Sequence, residues 1–106
     1  MAKDMVDELW QNTRFTYKEH LGPLKKDIES LKFDAERFQV TADTMKHGYP
    51  LISKREQGRS YEAQVEYHCL CARLCQLTGK PEEVEGHLKQ AREYQNKLEQ
   101  LTQSKK

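Results

Sequence analysis

Between Leu24 and Met45 the apolar side chains fall at Leu24, Ile28, Leu31, Ala35, Phe38, Ala42 and Met45, alternately four and three residues apart. That interval is the repeat of one buried helix face, and a strand, whose repeat is two, cannot produce it. Lys25, Asp27, Glu29, Asp34, Glu36 and Arg37 fill the gaps, so the opposite face is solvated. The pattern predicts a helix over about 23–46, whose stripe must be covered by other elements. Phe33 and Val40 fall outside this stripe, seven residues apart.

The remaining chain supplies three more helices. A first, over about 3–20, carries Val6, Trp10, Thr13 and Tyr17 on one face, widened by Met5 and Leu9, with Phe15 off it. Leu21-Gly22-Pro23 reads as a stop and start, with Gly22 left-handed and Pro23 opening the next helix. So short a link predicts that the first two helices are antiparallel neighbours. His47-Gly48-Tyr49-Pro50 ends the second helix, and the charged stretch that follows predicts a loose loop over 47–59. A third helix, over about 60–78 with Ser60 as its cap, has two adjoining apolar stripes. One is Tyr67, Leu70, Leu74 and Leu77; the other is His68, Cys71, Ala72 and Cys75. Apolar on two sides, it should be the most enclosed element. After Gly79-Lys80-Pro81 a fourth helix, over about 81–103, carries Val84, Leu88, Ala91, Leu98 and Leu101. Gly86 inside it costs about 1 kcal/mol against alanine, which a close approach of the third helix would explain. The expectation is an all-α fold: four antiparallel helices arranged as two helical hairpins, in one domain spanning 1–106.

Composition narrows what such a fold can do. In 106 residues, 36% hydrophobic and 33% charged, the core is limited to narrow stripes. The net charge of +1 provides no field for nucleic acid or an anionic membrane unless folding gathers Lys25, Lys26, Lys32 and Lys54 on one surface. No apolar run is long enough to cross a membrane, and Met1-Ala2-Lys3-Asp4 does not resemble a secretory signal. Three cysteines, Cys69, Cys71 and Cys75, are odd in number and crowded together, which predicts reduced thiols and a cytoplasmic or nuclear location.

The second hairpin, over 60–95, resembles one tetratricopeptide unit. Ala72 stands at the small position of its first helix, Gly79 at the turn, and Val84, Leu88 and Ala91 follow at the family's spacing. His68 stands where the family prefers a large aromatic residue and Asn96 where it prefers a proline, and no repeat of about 34 residues links this unit to the earlier helices. The resemblance implies tetratricopeptide-like stacking, a scaffold that binds proteins or peptides in a groove, and no catalysis.

Little in the sequence suggests reactive chemistry. His68, Cys71 and Cys75 lie on one side of a helix and His87 early on the next, a ligand set suited to zinc. Small buried thiols and a core histidine are the plainer reading of the same residues. His20 and His47 suit helix C-termini, and no nucleophile, base and acid converge. No catalytic group and no cofactor is therefore expected. Phe15, Phe33 and Val40, off the main stripes, are the candidate protein interface. The expected function is a non-enzymatic protein–protein interaction module, an adaptor or small subunit of a larger assembly that binds a partner helix or peptide, or a second copy of itself. A zinc-stabilised helical domain and a helical nucleic-acid-associated subunit are the alternatives.

Overall fold

Burial of the stripes is satisfied by a layered arrangement in which one long helix touches all the others. The computed structural model describes residues 5–16 and 21–103. They form α1 (Met5–Thr16), α2 (Leu21–Met45), α3 (Pro50–Leu77) and α4 (Pro81–Gln103). The all-α class and the four helices agree with the hydrophobic pattern. The enclosed element is α3, which packs against α2, α4 and α1. Ala63, Val65, Cys69, Leu70 and Ala72 on α3 are all buried.

Two departures from the sequence reading alter the architecture. Among the described residues the backbones of α1 and α2 are not packed neighbours, although Met5 shares a depression with Leu31 and Phe38 of α2; α1 packs instead on α3 and α4. Gly22 is not left-handed, since Gly79 is the only described glycine with positive φ, and Leu21, Gly22 and Pro23 already belong to the first turn of α2. Tyr17 and His20 lie outside the described residues. The second departure is the length of α3. Pro50 begins it, so the expected loop over 47–59 shrinks to a short turn and Ser60 is a buried mid-helix residue rather than a cap.

The extra turns of α3 are held by small and polar side chains. Ser53 Oγ donates to the Ala42 carbonyl at 2.6 Å and Ser60 Oγ to the Ala35 carbonyl at 3.1 Å. Gln39 and Gln57 exchange side-chain amide hydrogen bonds of 2.8 and 2.7 Å. Ser53 meets Ala42 while Ser60 meets Ala35, so α2 and α3 are antiparallel. Alanine on one side and serine on the other let the two backbones come close.

The α3–α4 turn follows from Gly79, whose φ of 80° L side chains rarely adopt. With it, the Lys80 N–H reaches the Cys75 carbonyl at 2.8 Å and closes the end of α3. Pro81 starts α4, and Glu82 and Glu83 complement its dipole. The core lies where α1 covers this hairpin: Val6, Val65, Cys69, Ala72, Leu88 and Ala91, flanked by Leu9, Trp10 and Val84. Gln95 Oε1 of α4 accepts from the Val6 N–H at 2.9 Å, tying the start of α1 to α4. Arg92 pairs with Asp7 at 2.9 Å. Gly86 has nothing near the position of a Cβ and is exposed, so no close approach explains it.

Candidate functional site

Two features stand out on this scaffold, one at each end of the α3–α4 hairpin. At the open end the helices leave a cleft of about 430 Å³. Leu51 from the first turn of α3 and Leu98 and Leu101 from the end of α4 give it an apolar lining. Gly58 forms the close floor: a Cβ there would meet Leu98 and Leu101 at 3.6 and 3.7 Å. Leu51 is 83% exposed, and Tyr49 and Ile52 beside it are also exposed. Lys54, Arg55, Arg59 and Glu62 make the rim. Glu56 draws on both guanidinium groups, at 4.0 Å from Arg55 and 3.6 Å from Arg59, yet both arginine side chains stay more than half exposed.

The cleft continues the groove that α1 occupies. Because Val6 meets Gln95 and Asp7 meets Arg92, α1 runs antiparallel to α4, and its first residue faces the end of α4. Arg59 and Glu62 line both the cleft and the depression of about 380 Å³ beside Met5. Among the described residues the same trough is thus filled by a helix along one half and open along the other.

At the closed end, the turn brings side chains from α3 and α4 together. Ligand-type atoms of Cys75, Glu83 and His87 lie within 4.8 Å of one another. His68 Nδ1 is 3.3 Å from His87 Nδ1, and the His68 ring stacks on Tyr94 and meets Tyr67 edge-on. Burial, with the His87 ring as a smaller cause, lowers the His68 pKa to about 4, so the ring is neutral near pH 7. Burial also pushes up the Cys75 thiol, helped by Glu83 and Glu82 and opposed by Lys80.

Of the four zinc candidates, Cys75 and His87 share the cluster, His68 adjoins it through the His87 ring, and Cys71 stands apart. Cys71 is turned toward α2, where it hydrogen-bonds with Tyr67 and senses Lys32, and burial raises its pKa. At about 100° per residue it sits about 40° further round α3 than Cys75. Glu83 takes its place in the cluster. Its position in the first turn of α4 suggested only a complement to the helix dipole. The signal that could have found it was the spacing Glu83–His87, which puts both on one face of α4.

Phe15, Phe33 and Val40 are 76%, 66% and 64% exposed. They do not form one patch: Phe15 is on α1 and the others on α2, two helices that are not packed neighbours among the described residues. The lysines do not gather either. Ser53 lies against Ala42, so Lys54 stands near the end of α2, while Lys25 and Lys26 are at its start, about 25 Å away. No described helix is long and apolar enough to cross a membrane. No family model, curated protein or solved structure matches this chain.

Proposed function

We propose that this chain is a non-enzymatic protein–protein interaction module, an adaptor or small subunit, that accepts an amphipathic helix with acidic flanks in the cleft between the start of α3 and the end of α4. The observation that carries the reading is that this cleft is the open continuation of the groove α1 fills. The surface is of a kind that takes helices, and α1 serves as the pattern for the occupant. That pattern turns Val6, Leu9 and Trp10 inward and sets Asp7 against Arg92. In the open half Leu51, Leu98 and Leu101 supply the apolar lining, and Lys54, Arg55 and Arg59 replace Arg92 as cations. From Leu51 to Glu62 the trough runs about 16 Å, enough for three helical turns.

The test is fluorescence anisotropy of a labelled synthetic peptide with leucines at i, i+3, i+4 and i+7 and glutamates on both flanks. The expected result is saturable binding in the micromolar range that weakens with salt. Leu101→Glu should weaken it about tenfold or more, and Phe33→Ala should leave it unchanged. Binding that ignores Leu101→Glu, or that follows Phe33→Ala instead, removes the cleft from the account. Concentration-dependent self-association abolished by Leu101→Glu would make a second copy the occupant and overturn the choice of a foreign helix.

A further inference from the structure

We propose that Cys75, Glu83 and His87 bind one zinc-class divalent ion at the α3–α4 turn, with His68 as the positioning residue that holds the His87 ring. The donor set is one sulfur, one carboxylate oxygen and one imidazole nitrogen. That combination suits zinc; magnesium and calcium favour oxygen alone. Zinc bond lengths of 2.0–2.3 Å place tetrahedral ligand atoms about 3.3–3.8 Å apart. Ligand atoms already within 4.8 Å of one another stand no more than about 1.5 Å beyond that spacing. The backbone is itself fixed: the Lys80 N–H to Cys75 carbonyl bond and the left-handed Gly79 lock the first turn of α4 against the last turns of α3.

His68 supplies what a metal-binding histidine commonly has, a partner for its other ring nitrogen. Its Nδ1 lies 3.3 Å from His87 Nδ1, and stacking on Tyr94 keeps its own ring from turning. With His68 Nδ1 as acceptor and His87 Nδ1–H as donor, His87 Nε2 would keep its lone pair for the ion. Glu83 is exposed and Cys75 only 9% so, giving an approach from solvent at one side and a sheltered thiol at the other. Coordination displaces the Cys75 thiol proton to water, forming the metal–sulfur bond with no change of oxidation state. The site lies at the opposite end of the hairpin from the proposed helix-binding cleft and does not depend on it.

The experiment uses the untagged full chain, reduced and stripped of metal, titrated with Zn²⁺ against a chromogenic chelator and separately with Co²⁺ as a spectroscopic probe. One equivalent should bind, and the cobalt form should show tetrahedral bands with a thiolate charge-transfer band. Cys75→Ser should remove the charge-transfer band, and Glu83→Gln, an exposed change that leaves the fold alone, should weaken zinc binding. His68→Ala should weaken binding by about 10–100-fold while keeping the charge-transfer band. Cys71→Ser should bind as the wild type does. Absence of saturable zinc binding overturns the proposal. So does a charge-transfer band that survives Cys75→Ser but is lost in Cys71→Ser, or wild-type affinity in Glu83→Gln.

Discussion

Replacing Ser60 tests the seam between α2 and α3 more sharply than any change in the apolar core. Its side chain is fully buried, and its hydroxyl donates to the Ala35 carbonyl at 3.1 Å. Ser60→Ala removes the bond to Ala35, and with it the 3.3 Å contact with Gln39 Oε1 and the 3.5 Å bond accepted from Gln64 Nε2, an amide on a side chain that still reaches solvent. The Ala35 carbonyl keeps its place in α2, and Gln39 Oε1 still receives Gln57 Nε2. The cost should be about 1 kcal/mol. Ser60→Leu removes the same bonds and adds three carbons between two closely spaced backbones, where Ala35, Ala42 and Ala63 are buried. Overpacking of this kind adds about 1–3 kcal/mol, for a total of about 3 kcal/mol. Small domains have only about 5–15 kcal/mol of stability, so the second variant should be visibly crippled. Urea unfolding monitored by circular dichroism measures both, through the midpoint at constant slope. A leucine tolerated as well as an alanine would refute the close packing, and with it the helical assignment of residues 50–59.

Three further outcomes follow from the packing and charge of the helices. Gly86→Ala, at an exposed mid-helix position open to a Cβ, should raise stability by about 0.5–1 kcal/mol in the same urea assay. Burial, reinforced by Glu62, raises the Glu66 pKa, so the folded chain holds this proton at pH values where the unfolded chain has released it. Its unfavourable contribution is therefore greatest above the folded value and fades as the pH falls toward the unfolded value; Glu66→Gln should gain stability at pH 7 and lose that advantage in acid. The exposed Asp7–Arg92 pair should matter little: Asp7→Asn should change stability by no more than about 1 kcal/mol, while Val6→Ala, in the core beside it, should cost more.

What the sequence revealed depended on whether burial was apolar. The α2 stripe was legible because Leu24, Ala35 and Ala42 enter a buried surface at helical spacing. The first third of α3 was not, because its contacts with α2 run through Ser53, Gln57 and Ser60, residues that hydrophobic periodicity counts as solvent-facing. The path of α1 was hidden for another reason. A tight link between helices restricts neighbours only when the glycine in it turns, and Gly22 continues the helix instead. At the closed end, His68, Cys75 and His87 could be brought together from spacing and an antiparallel hairpin. Cys71 shared their stripe on paper, but a further 40° of rotation gives it to Tyr67 and α2.

The central claim is that the open half of the α1 groove takes a helix. Amide chemical-shift mapping of the full chain, titrated with the glutamate-flanked leucine peptide, tests it directly. The account predicts perturbations concentrated at residues 51–62 and 98–102, with the outer face of α2 around Phe33 and Val40 unmoved. Shifts gathered on that α2 face, or none at saturating peptide, would contradict it.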